Sequence, residues 1–236
     1  MASVIAMTSV PTDPYELLHW NMILAHQTYE KGYENIVRLL GDPPRGDLKN
    51  FLGYCEAWGY SVVHHHDIEE ATIFPVLSRK MDFSHEREQH KELHAFLDKF
   101  LEIIKEAQAE HSKFDAPQLK ELMESAREVM FVHFDEELVH IEASKLKAAG
   151  FTEHECTGMI DEMEKHAKGS GDPFLIAPYM LRCVTLLLTA RPRSVPTRNL
   201  QPHSARVQEH LAFDGMGTTK GRCALCVGSE TFRIHI

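Results

Sequence analysis

Apolar positions spaced alternately three and four apart run through four long segments of the chain. A row of that kind lies along one face of an α-helix, because 3.6 residues complete a turn. The first reads His19, Met22, His26, Tyr29, Tyr33, Ile36 and Leu40. It predicts a helix from about Asp13 to Leu40, with Asp13 as N-cap and Pro14 at the first helical position. The second reads Phe51, Cys55, Trp58, Val62, His65 and Glu69, in a helix from about Asp47 to Arg79 that Pro75 should kink or end early. The third, His90, His94, Leu97, Leu101 and Ile104, falls in a helix from about Ser84 to His111. The fourth, Leu122, Ala126, Val129, His133, Glu137 and His140, runs from about Pro117 to Ala149, with Gly150 as C-cap. No stretch alternates as strands do. Long amphipathic helices with short connections predict an all-α, up-down-up-down four-helix bundle over residues 13–150.

Beyond the bundle, a shorter helix is expected from about Thr152 to Lys168. The apolar, Pro-punctuated stretch GSGDPFLIAPYMLRC follows, so residues 151–183 read as an extra helix and an apolar segment packing on the bundle. From Val184 the chain turns basic and rich in Arg, Pro, Ser and Thr without periodicity. Residues 184–236 are therefore expected to be a disordered or divergent tail, and residues 1–12 a flexible N-terminus.

Composition narrows the function classes. With 236 residues, 43% of them hydrophobic, a packed core is within reach. A formal net charge of −10 is a poor match for phosphate backbones and argues against nucleic acid as partner. The apolar stretch CVTLLLTA is too short to span a bilayer, and the N-terminus lacks the basic and long apolar regions of a signal peptide. The five scattered cysteines form no disulfide framework, which suits a reducing compartment and a cytoplasmic location. Cys223-Ala-Leu-Cys226 is half a zinc site without a second pair, and reads as coincidence.

Sixteen histidines change the picture, since neutral imidazole is the commonest transition-metal ligand. In HHHDIEE, periodicity carries the apolar stripe of the second helix into His65 and Glu69. His66 and Glu70 lie on the neighbouring face and His64 further round. They read as outer or solvated residues, with Asp67, Glu136 and His140. One histidine on an apolar face is ordinarily a hydrogen-bonded core residue. Here imidazoles from all four helices approach one level, together with two carboxylates, and the core rows hold no Lys or Arg to pair with those acids. A buried, unpaired carboxylate is costly, and a divalent metal pair meets its need.

The segments LAHQ, HHHDIEEATIFP, EQHKELHAFL and HFDEEL resemble the hemerythrin-like, HHE cation-binding family over roughly residues 13–145. FLGYCEAW and GDPFLIAPYML are similar to its fungal form. The resemblance implies two non-haem iron ions (Fe2+/Fe3+), carboxylate-bridged. His90, His94 and His133 would bind one iron, His26 and His65 the other, and Glu69 and Glu137 would bridge. The iron with two imidazoles would keep a position open for O2 or another small diatomic or peroxide ligand. Glu137 follows His133 at i+4, a spacing similar to intracellular HHE proteins with sensing, redox or peroxide roles; oxygen carriers typically have Asp at i+5. A metal and small-ligand binding protein is thus expected ahead of an enzyme with ferroxidase or peroxidase-like activity. A ferritin-like site is less well matched: Glu16-x-x-His19 and Glu137-x-x-His140 occur, but the level is His-rich rather than carboxylate-rich.

Overall fold

The computed structural model describes residues 10–189, and the expectations for residues 1–9, the tail from residue 190 and the Cys223/Cys226 pair lie outside them. Helix α1 spans Pro14–Leu40, with the Asp13 carboxylate accepting the Tyr15 N–H as N-cap. Helix α2 spans Leu48–Ile68 and passes through a π-helical turn, Glu69–Ile73, into the single turn α3, Phe74–Leu77. Helix α4 spans Ser84–Ala109 and α5 spans Ala116–His140. Three shorter helices follow: α6, Ala143–Ala148; α7, Glu153–Gly169; and α8, Pro173–Thr189.

Helices α1, α2, α4 and α5 close a ring in which α1 packs on α2 and α5, and α4 on α2 and α5. Short connections make sequential neighbours antiparallel. Two apolar clusters fill the bundle. One contains Tyr33, Phe51, Trp58, Leu97, Phe100 and Met130; the other, Leu18, Phe74, Phe83, Ile141, Phe151 and Met159. The chain of each bundle helix passes from one cluster to the other.

Several boundaries differ from expectation. The fourth predicted helix breaks after His140, where Glu142 adopts an extended backbone (φ −51°, ψ 139°), so α6 starts anew and Ile141 and Leu146 enter the second cluster. No breaker residue marks that break. Gly150 then takes the left-handed conformation that an L side chain resists (φ 77°). On α5 the buried row is Leu119, Met123, Ala126, Met130, His133 and Glu137; Leu122 and Val129, expected in it, are half-buried.

The apolar segment after Gly169 is helical and continues past the boundary expected at Cys183, to Thr189. It packs on α1 and α2. Tyr179 is fully buried there and donates its hydroxyl to the Thr28 carbonyl at 3.1 Å. Gly32 makes that approach possible, because a Cβ on it would overlap the Trp58 indole and the Tyr179 hydroxyl.

Candidate metal centre

On every bundle helix, the inward polar residues sit at the seam between the two apolar clusters. His26 lies between Met22 and Tyr29, and His65 and Glu69 between Val62 and Ile73. His90 lies between Phe83 and Leu93, and His133 and Glu137 between Met130 and Ile141. The antiparallel arrangement therefore brings one level of four helices together.

Two groups of donors form there. His26, His65 and Glu69 present ligand atoms within 4.8 Å of one another, and so do His66, His90 and His133. The groups adjoin, with the rings of His26 and His133 centred 6.1 Å apart. Two buried carboxylates join them. Glu69 Oε1 lies 3.0 Å from His65 Nε2, and its Oε2 lies 3.6 Å from His90 Nε2. Glu137 Oε2 lies 3.2 Å from His26 Nε2 and 3.8 Å from His133 Nε2. Each carboxylate thus touches one imidazole of each group.

The outer nitrogens of three rings are tethered. His26 Nδ1 lies 3.3 Å from the Phe134 carbonyl, His90 Nδ1 3.1 Å from Glu70 Oε1, and His133 Nδ1 3.2 Å from Gln89 Oε1. Each partner atom is an acceptor, so Nδ1 carries the proton and Nε2 turns a lone pair inward. Gln89 is itself oriented by donating its amide to Glu136 Oε2 at 2.7 Å. Glu70 is held by Arg87 at 2.9 Å. Phe134 stacks on His26 and Phe74 on His90, their ring centres 4.4 and 5.0 Å away.

Electrostatics match a cation. Burial, then the Glu137 carboxylate, then that of Glu70, push Glu69 well above the usual carboxylate range. No Lys or Arg among the described residues forms an ion pair with Glu69 or Glu137. Burial first, and neighbouring imidazoles second, hold His65, His66 and His133 well below the ordinary histidine value; His90 falls to about 3. Neutral imidazole is the form that ligates. The Nε2 atoms of His26, His65, His90 and His133 and both oxygens of Glu69 and Glu137 lack any hydrogen-bond partner. The close contacts above are not aligned as hydrogen bonds, and such buried, converging donors fit metal ions.

The hemerythrin HHE cation-binding domain family matches residues 19–141. That is more than half of the chain. The chain belongs to the hemerythrin HHE cation-binding family. No curated protein and no solved structure matches it. Membership implies cation binding, and the His and Glu groups could hold the metal. Among the described residues no helix is long and apolar enough to cross a membrane.

Of the seven residues implied by the resemblance to this family, the structure brings six to the seam: His26, His65, Glu69, His90, His133 and Glu137. His94 stands apart from both donor groups. It is half-buried, its ring is 5.5 Å from that of His66, and it lines a surface cavity with Glu70, Arg87, His90 and Lys91. The reason is register: the buried row of α4 runs through His90, Leu93, Leu97, Phe100 and Ile104, which leaves His94 on its flank.

His66, expected on an outer or solvated face, is instead fully buried between His90 and His133. His64 is buried as well, near the start of α8. Sequence reasoning missed Gln89 as the tether of His133; its place one residue before His90, on the inward side of α4, was the available signal. His140, a candidate for a ferritin-like Glu-x-x-His, bonds Glu86 at 2.6 Å and stacks on Phe83 instead.

Proposed function

We propose that this hemerythrin-like chain holds two non-haem iron ions bridged by Glu69 and Glu137, and that the pair binds O2 or a related small ligand or reports iron and redox state. His26 and His65 would hold one iron, and His90 and His133 the other. His94 is the further imidazole that the family pattern implies. The observation that carries this reading is the position of the carboxylates, each in contact with an imidazole from both donor groups. Bound iron would supply a redox-active centre able to accept a small exogenous ligand.

The chain's own residues do the rest. The Phe134 carbonyl, Glu70 and Gln89 fix which nitrogen of each imidazole faces inward. The apolar clusters above and below the seam keep bulk water away from the centre. Glu137 at i+4 from His133 supports sensing or peroxide chemistry over oxygen transport. The free thiols of Cys55 and Cys156 suit a reducing compartment such as the cytoplasm.

The test is anaerobic reconstitution with ferrous iron, measuring iron per chain and then optical spectra through an O2 and deoxygenation cycle. Two irons with a reversible O2-dependent charge-transfer band support ligand binding. Two irons that oxidise irreversibly favour redox sensing, or the alternative of a ferroxidase or peroxidase-like enzyme. Fewer than two irons under saturating conditions overturns the paired site.

A further inference from the structure

The metal reading leaves one residue of the seam without a task. His66 is fully buried, and neither Nδ1 nor Nε2 has a hydrogen-bond partner. It differs from His26, His90 and His133 in its outer nitrogen and in its ring orientation towards the centre. His26, His90 and His133 each have an outer nitrogen tethered and an inner one free, the arrangement of ligating histidines. His66 has no tether. Its ring is also stacked on that of His90, with centres 4.2 Å apart and planes 18° from parallel. An imidazole lone pair lies in the plane of its ring, so two rings stacked face to face do not aim at one ion.

The position of His66 is nevertheless central. One of its ring nitrogens comes within 4.8 Å of donor nitrogens on both His90 and His133, and its ring stands edge-on to His133 at 5.2 Å. A surface cavity lined by Glu70, Arg87, Lys91, His90 and His94 lies one layer outside, and its His90 and His94 are both ring neighbours of His66. An uncharged imidazole carries one N–H and one lone pair, and burying both without partners is costly. A bound ligand with an electron-rich outer atom removes part of that cost.

We propose that His66 is a ligand-binding residue: its N–H donates a hydrogen bond to the outer atom of a small, electron-rich ligand of about azide's size held at the metal pair. This rests on the metal reading above. His66 is then what distinguishes ligands that can accept a hydrogen bond from those that cannot.

The experiment uses the full chain, loaded with iron and oxidised, with azide as the probe. Wild type, His66→Phe and His66→Gln are compared for iron per chain, helicity and azide dissociation constant. All three should hold the same iron. The Phe variant should bind azide about tenfold more weakly, the loss expected for one hydrogen bond to a charged acceptor, and Gln, which keeps an N–H donor, should recover most of that. His66→Leu gives the same comparison should the Phe ring disturb helicity. Unchanged azide affinity in the Phe and Leu variants overturns the proposal. So does loss of an iron in all three variants, which makes His66 a metal ligand. A wild-type chain that fails to hold two irons overturns the metal reading first, before any azide is added.

Discussion

Gln89 Oε1 lies 3.2 Å from Nδ1 of His133 and decides which nitrogen of that buried ring faces the seam. The amide cannot flip freely, because its nitrogen donates to Glu136 at 2.7 Å. Glu136 in turn contacts His85 at 3.1 Å, so a chain of side chains reaches from the surface to a candidate ligand.

Replacing Gln89 with leucine removes the acceptor and leaves His133 free to change tautomer. Metal affinity should fall by about 10–100-fold, the usual cost of losing such a partner. Gln89→Glu keeps an acceptor but sets a second carboxylate against Glu136, so it should recover only part of the loss. Competition titration against a chelator reads the affinity, and unchanged far-UV circular dichroism shows that the fold is intact. Equal affinity in the leucine variant would show that His133 needs no tether.

His65 and Glu69 face inward, whereas Glu70 acts through His90 from a half-buried position. His65→Ala and Glu69→Ala should each lose at least one metal per chain. Glu70→Ala should keep the stoichiometry and weaken binding by about tenfold. Elemental analysis of the purified variants separates the cases. Full metal content in Glu69→Ala would remove the bridging role.

The metal-free chain should lose stability as pH falls. His65, His66, His90 and His133 are held below the ordinary value of 6.5, His90 at about 3. Below pH 6.5 the unfolded chain takes up protons that the folded chain refuses, so their contribution is complete above 6.5 and is lost as pH falls towards the folded values. Each such group steepens the dependence by up to about 1.4 kcal/mol per pH unit. Glu69 acts in the opposite sense, because its raised value favours the protonated acid in the fold and costs stability above about 4.5. Burial also lowers His19 and His64 and raises Glu30 and Glu70, so six imidazoles against three carboxyls set the sign. Urea midpoints between pH 7.5 and 5 should fall with pH, and a flat profile would contradict the buried neutral imidazoles.

Gly32→Ala should destabilise the chain by about 1–3 kcal/mol, as overpacking does, because the added methyl meets the Trp58 indole and the Tyr179 hydroxyl. The urea midpoint should shift with the slope unchanged. An unaltered midpoint would mean that Trp58 and Tyr179 do not close on Gly32 in solution.

Much of this arrangement was legible in the residue pattern. The rows through His26, His65, Glu69, His133 and Glu137 point inward in the structure, because a bundle interior selects one face of each helix and that face recurs every three to four residues. His66 was misplaced for a geometric reason. Adjacent residues stand about 100° apart, and the inward arc of a helix flanked by two others is at least that wide. His65 can therefore face α1 while His66 faces α4, and a single-stripe reading admits only one of them. His64 was misplaced for another: α8 covers the outer side of α2, so buried residues run nearly all round that helix. Tethers such as Gln89 carry no periodic signal, since they depend on which side chain of another helix lies opposite.

The π-helical turn at Glu69–Ile73 carries one more consequence. There the Phe74 N–H bonds the Glu69 carbonyl, five residues back, in place of the usual four. One additional residue per turn rotates everything downstream by about 100° relative to an unbroken α-helix. Up to the first residue of the turn the helix is phased to aim His65 and Glu69 at the seam. From its last residue onwards it is phased to sink Ile73, Phe74 and Leu77 into the second apolar cluster. The second bundle helix thus changes phase at one turn, just where its candidate ligands give way to its apolar end.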